Sequence, residues 1–228
     1  MKKLLLVLLV SFISAQDIAC VGNSITANGY PEIVDFWMAQ DGFEWNVHNF
    51  GVGGAGIIYH PYKNTQEYQD VWEMNPTHII IKLGTNDLSG YSTYDDTWKN
   101  YWDFEYREIV RKFIYTDHNV ILGTIIYRLY TSQEALDVID IMNEKIRKVA
   151  QDYNLHIIDF NSAIGLNPDY FQADGVHPTN EGKYKLARTA YDYFKTLPIT
   201  LGIEDEYWEA VEDYDDQRTS LFNGCSMK

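Results

Sequence analysis

The 228-residue chain is 46% hydrophobic, enough to bury one well-packed core, and no Pro/Gly/Ser-rich linker or internal repeat divides it. Its formal net charge of −15 argues against nucleic acid or an anionic membrane surface as the main partner. Aromatics make up 15% of the chain, including 18 Tyr, which leaves two readings open: an aromatic-rich core and surface, or platforms on which sugars stack.

Residues 1–15 read as a targeting segment. Lys2 and Lys3 form a positive start, residues 4–13 are an apolar stretch, and Ser14-Ala15 offers small residues for cleavage before Gln16. The stretch is too short to span a bilayer, which needs about 20 residues. The expected organisation is therefore a signal peptide at 1–15, one folded domain at 16–200 and an acidic extension at 201–228. The expected location is secreted or periplasmic, with no stable membrane insertion after cleavage.

Five short apolar runs follow, at residues 17–21, 45–50, 77–83, 120–126 and 155–160, and read as strands. His78-Ile79-Ile80-Ile81-Lys82-Leu83, the run 120–126 and Ile157-Ile158 are β-branched and apolar almost throughout. Such strands are buried on both faces, as in a parallel sheet covered by helices. Between them lie amphipathic segments. Residues 30–40 carry Ile33, Phe36 and Trp37 at helical spacing, with Pro31 at a permitted early position. Residues 98–115 align Trp102, Tyr106, Ile109, Val110 and Phe113. Residues 132–153 repeat Leu136, Ile139, Met142, Ile146 and Val149 behind Ser132 as N-cap. Residues 180–194, capped by Thr179 or Asn180, present Leu186, Ala190 and Phe194. The alternation implies an α/β fold, a three-layer α/β/α sandwich around a central, mainly five-stranded parallel sheet with right-handed crossovers.

Cys20 lies in the first strand and reads as a small buried hydrophobe. Pairing with Cys225, in the polar tail, stays open for an exported chain. No CxxC or His/Cys ligand cluster is present, and neither a metal nor a cofactor is expected. Beyond residue 200, the stretch 204–216 is dense in acidic residues and carries no basic one, which reads as a surface helix or tail.

In such a sheet, ligands bind beyond the carboxyl ends of the strands. Four polar motifs fall at those ends: Gly22-Asn23-Ser24, Asn49-Phe50-Gly51-Val52-Gly53-Gly54, Gly84-Thr85-Asn86-Asp87, and Asp174-Gly175-Val176-His177. A serine hydroxyl is a poor nucleophile at neutral pH, needing an imidazole to take its proton and a carboxylate to orient that imidazole. Ser24, His177 and Asp174 are the residue types for this work. Each motif alone has an ordinary explanation: a helix cap at Ser24, a turn at Asn86, a tight glycine turn at 51–54. Four motifs at one edge are hard to explain that way. His48, His60, His78, His118 and His156 have no such neighbours and read as surface histidines.

The segment around Ser24 is not a Gly-x-Ser-x-Gly elbow, since Thr26 occupies the last position. It resembles the first block of the SGNH hydrolases, also called the GDSL esterase/lipase family. Gly54 matches the glycine of their second block, Gly84-Thr85-Asn86-Asp87 their third, and Asp174-Gly175-Val176-His177 their last. The resemblance covers roughly residues 17–195, with Asn23 standing where the family usually has Asp. It implies a flavodoxin-like SGNH fold over the folded domain and a carboxylic ester hydrolase. It further implies Ser24 as nucleophile, His177 as base, Asp174 as orienting acid, and an oxyanion hole of the Ser24 and Gly54 amides and the Asn86 side chain.

The wording around the blocks resembles the secreted carbohydrate acetylesterase-like, or sialate O-acetylesterase-like, branch. That implies a small acyl ester or an acylated carbohydrate as substrate. Tyr59, Tyr62, Tyr91, Tyr94, Trp98, Tyr127, Arg128 and Tyr130 lie near the active edge, with Tyr59, Tyr91, Tyr127 and Arg128 the foremost substrate-binding candidates. Two alternatives remain: a short-chain lipase, lysophospholipase or thioesterase of the same fold, and a non-catalytic carbohydrate-binding protein.

Overall fold

The computed structural model describes residues 16–88 and 95–196. The expected signal peptide, Tyr91, Tyr94, Cys225 and the acidic extension lie outside the described residues. Five strands, β1 (Gln16–Gly22), β2 (Trp45–Gly51), β3 (His78–Lys82), β4 (Asn119–Gly123) and β5 (His156–Ile158), form one sheet in the order β2-β1-β3-β4-β5. Every pairing is parallel. Seven α-helices accompany them among the described residues: α1 (Ser24–Ala27), α2 (Tyr30–Gln40), α3 (Gln66–Met74), α4 (Asp96–Ile114), α5 (Gln133–Asp152), α6 (Phe160–Ile164) and α7 (Asn180–Thr196).

The period-2 alternation of each strand feeds two cores. Ala19, Val21, Ile79, Ile81, Val120 and Leu122 point toward α3, α4 and α5. Ile18, Cys20, Ile80 and Ile121 point toward α2, α6 and α7. This is the expected three-layer sandwich. The stripes expected on the fourth and seventh of these helices are buried as the spacing predicts. Ser132 caps α5 by accepting from the Ala135 N–H at 3.2 Å, and Thr179 Oγ1 accepts from the Gly182 N–H at 3.2 Å.

Four local readings are corrected. In α2 the buried face is Tyr30, Val34 and Met38, and Phe36 stands 60% exposed. Ile33 and Trp37 of the expected stripe lie partly buried on its flank, and Trp37 packs against Tyr184 and Tyr191 of α7. The helix α3 was not expected; it is short, and its one clear signal is Thr65, whose side chain accepts from the Tyr68 N–H. His78 and His118 are not surface groups but 5% and 3% exposed. His78 lies flat against Trp45, ring centroids 5.3 Å apart, and His118 holds Pro76 O at 2.7 Å through Nδ1.

The fourth correction concerns the chain beyond β4. The strand expected to run to Ile126 leaves the ladder at Gly123. Side chains then replace the missing strand bonds: Asn143 of α5 accepts from the Ile125 N–H at 2.7 Å and donates to Ile125 O at 2.9 Å. Asn161 accepts from the Tyr127 N–H at 3.1 Å, and Thr124 Oγ1 donates to Asp159 at 2.9 Å. Breaking the ladder here re-aims residues 124–130 across the top of the sheet. The expected strand at 155–160 is likewise shorter, because Asp159 caps α6 and Phe160 is already helical.

Replacing Asn143 by Leu keeps its bulk and orphans two buried backbone groups. We expect the change to destabilise the fold by roughly 2–4 kcal/mol in denaturant unfolding; a loss under about 0.5 kcal/mol would show that water takes over both groups. Burial also lowers the His78 pKa to about 4 and lowers that of His118. A histidine depressed on folding contributes stability that is complete above its unfolded value, about 6.5, and is lost as pH falls from there. Melting temperature is therefore expected to decline between about pH 6.5 and 4, and the decline should be shallower in His78→Phe.

Candidate active site

The site begins where β1 ends. Asn23 is fully buried, and its side chain accepts from the Ile25 N–H at 2.9 Å, starting α1 so that Ser24 opens the first turn. Gly22 pairs with Gly51 on one side and Lys82 on the other, and its carbonyl accepts from the Val52 N–H at 2.9 Å. The strand order reverses direction at β1, so the crevice between the ends of β1 and β3 is the topological switch point of the sheet.

Far along the sequence, Asp174 and His177 form a compact turn before α7. Asp174 Oδ1 accepts from the backbone N–H groups of Val176 at 2.9 Å and His177 at 3.0 Å. Its Oδ2 lies 2.7 Å from His177 Nδ1. The imidazole contact, and then the two backbone donors, bring the Asp174 carboxyl down to about 2, so it stays ionised at any physiological pH. A carboxylate on Nδ1 fixes the proton there and leaves the Nε2 lone pair free. That Nε2 lies 2.9 Å from Ser24 Oγ, across 153 residues of sequence. The turn itself is braced: Gln172 N–H donates to His177 O at 2.8 Å, and Leu129 N–H donates to Gly175 O at 2.7 Å.

Gly54 and Asn86 lie on the two neighbouring loops. Gly54 is exposed and adopts φ +80°, a left-handed conformation that favours glycine. Asn86 is half-buried and donates one Nδ2 hydrogen to Ala55 O at 2.9 Å, tying the loops together. An amide nitrogen has two hydrogens, so a second remains to meet a ligand.

The residue that organises this region is one to which the sequence reading gave no role. Asp87 is fully buried, and its carboxylate accepts from the N–H groups of Ile57, Ile58 and Tyr59 and from the Trp102 indole, at 2.8–3.0 Å. Burial pushes its carboxyl up, and these donors pull it back. Gly56 lies so close that a Cβ there would stand 2.5 Å from Asp87 Oδ1. The signal was available: an acid directly beside Asn86, in a chain whose glycine loop has unpaired amides to satisfy.

The other substrate candidates divide. Tyr59 is 36% exposed and packs edge-on against His60. Tyr127 is half-buried and donates to Asp140 at 2.5 Å. The Arg128 guanidinium donates to Thr85 O, beside Asn86. Tyr62 is fully buried with its hydroxyl on Phe50 O, and Trp98 is 6% exposed, so neither faces a ligand. Among the described residues, no group of three His, Cys, Asp or Glu side chains is placed to hold a metal ion, and no helix is long and apolar enough to cross a membrane.

Asp87→Asn would turn an amide N–H toward donors that need an acceptor. We expect a stability loss of roughly 1–3 kcal/mol and faster amide exchange at Ile57, Ile58 and Tyr59; unchanged protection at those three amides would remove Asp87 as the anchor.

The chain matches the description "GDSL-like Lipase/Acylhydrolase family" over residues 20–185. An acetylxylan esterase of Xylanibacter ruminicola is 28% identical over 211 residues, covering 76% of this chain and 42% of that protein, so the chain spans less than half of this relative's length. A lipase/acylhydrolase from Enterococcus faecalis has a similar fold, with a TM-score of 0.65 at 22% identity over 82% of this chain and 100% of that one. The acetyl xylan esterase AlAXEase gives 0.62 at 23% identity over 78% of this chain and 98% of that one. The matched span holds Ser24, Gly54, Asn86, Asp174 and His177 on one sheet edge, and the chain belongs to the GDSL-like lipase/acylhydrolase family.

Proposed function

We propose that the protein is a serine esterase that removes acetyl or other short acyl groups from hydroxyls of carbohydrates. The observation that carries this reading is the hydrogen-bonded run from Asp174 through His177 to Ser24, with contacts of 2.7 and 2.9 Å. In this reading His177 Nε2 takes the Ser24 proton as Oγ attacks the ester carbonyl. The oxyanion is held by the Ser24 and Gly54 backbone N–H groups and the free Asn86 amide hydrogen. His177 then gives the proton to the leaving oxygen, and the C–O bond of the ester breaks to leave an acyl-Ser24. Water, deprotonated by His177, attacks the acyl-enzyme and releases the acid. Asp174 steadies the imidazolium throughout.

The sugar acceptor is supported by the acetylxylan esterase relative and by the tyrosines and arginine near the site. Tyr59, Tyr127 and Arg128 would border the bound sugar, as would Tyr91, which lies outside the described residues. A short-chain lipase or thioesterase of the same fold is the competing outcome.

Ser24→Ala is expected to lower hydrolysis of p-nitrophenyl acetate by about 10³-fold or more while leaving the melting temperature unchanged. Equal rates for the two proteins would end the nucleophile assignment. Acetate esters and acetylated xylan should be cleaved faster than octanoyl and longer esters; the reverse order would favour the lipase outcome.

A further inference from the structure

Residues 128–130 join the two halves of the site. The Arg128 guanidinium donates to Thr85 O, beside Asn86, and the Leu129 N–H donates to Gly175 O, between Asp174 and His177. Tyr130 comes next, and it is unusual in two independent ways. It is 82% exposed, the most exposed large hydrophobic side chain among the described residues. It also adopts φ +56°. The other non-glycine residues with positive φ there are His60, Asn75, Asp117 and Asn154, types that tolerate this conformation; a tyrosine does so far less readily. The strained backbone directs the ring back over the acid/base turn, where Cδ2 lies 2.8 Å from the position a Cβ on Gly175 would take. Gly175 thus gives the ring a seat that no larger residue would leave. An exposed aromatic held this way, against the backbone two residues from His177, gains little burial in return for its strain.

The chemistry of the reaction gives the ring a side. The oxyanion donors mark where the acyl carbonyl sits, and His177 marks where the leaving oxygen departs, because it returns the proton to that oxygen. A group seated on the His177 turn therefore meets the alcohol half of the ester. We propose that Tyr130 is a specificity-determining residue whose ring forms the platform for the acyl acceptor, the sugar ring in the reading above, on which this inference rests. It acts in acylation alone, since the acyl-Ser24 formed from any acetate ester is the same and has already lost its alcohol.

The test compares wild type, Tyr130→Ala, Tyr130→Gly and Tyr130→Trp on three acetates: ethyl acetate, 4-methylumbelliferyl acetate and an acetylated xylo-oligosaccharide. For the oligosaccharide, kcat/KM is expected to fall roughly 5- to 10-fold in the Ala and Gly variants and to return in Trp. Ethyl acetate, whose alcohol is too small to reach the ring, should be cleaved at the wild-type rate by all four. Glycine suits the left-handed backbone, so Tyr130→Gly should melt at or above the wild-type temperature, which separates loss of the ring from loss of the fold. An equal fall on all three esters would make Tyr130 a loop-shaping residue and overturn the proposal, as would no fall on any. If wild type cleaves the methylumbelliferyl ester but no acetylated sugar, the sugar reading fails by itself. The platform is then judged on that ester against ethyl acetate, and an unchanged ratio in Tyr130→Ala overturns it.

Discussion

A parallel sheet covered on both faces leaves only its strand ends free to carry polar chemistry. Here the residues of the three central strands, β1, β3 and β4, are buried almost throughout in apolar cores on both faces, so a polar side chain among them bears a desolvation cost. Lys82 illustrates it. Its amine is buried, has no hydrogen-bond partner among the described residues, lies 5.9 Å from the Phe160 ring centroid, and is pushed down to about 7. Polar groups that must be ionised or hydrogen-bonded are driven to the carboxyl edge, and Ser24, Asn86 and the Asp174–His177 turn all stand there.

That edge is ordered by side chains that stand in for backbone. Asp87 gathers three consecutive amides of the loop after β2; Asn143 completes Ile125 as a neighbouring strand would; Asp174 closes its own turn through two N–H groups before it touches His177. Each is a short polar residue that makes two or more hydrogen bonds to backbone groups at once. Their combined effect is to hold three loops from distant parts of the chain against one another. Ser24 and His177 then lie within hydrogen-bond distance of each other.

Much of this was legible in the sequence. The apolar runs at 77–83 and 120–126 announced buried parallel strands because no amphipathic alternation interrupts them. The heptad-like stripes from Trp102 and Leu136 announced helices because the whole stripe is apolar. The four motifs pointed to one edge of the sheet because they recur after strand ends. What failed did so for physical reasons. In α2, Tyr30, Val34 and Met38 face the core while Ile33 and Trp37 lie partly buried on its flank, a rotation that helical spacing alone does not fix. His78 and His118 look polar in sequence but are neutral aromatic rings that pack against Trp45 and Trp72 once buried. The end of β4 could not be read, since Ile125 and Ile126 are as strand-like as the residues before them.

The sequence by itself determined the layers, the parallel sheet and the residue types gathered at one edge, because periodicity and strand-end placement are local properties of the chain. The tertiary structure decided which of those residues touch. Ser24 and His177 are 153 positions apart, and nothing local relates them. Their contact follows from strand order, from the ladder breaking at Gly123, and from Leu129 bracing the turn that carries His177. Side-chain amides and carboxylates can take over backbone hydrogen bonds only where folding brings them within about 3 Å, so Asp87 and Asn143 acquire their roles in three dimensions alone.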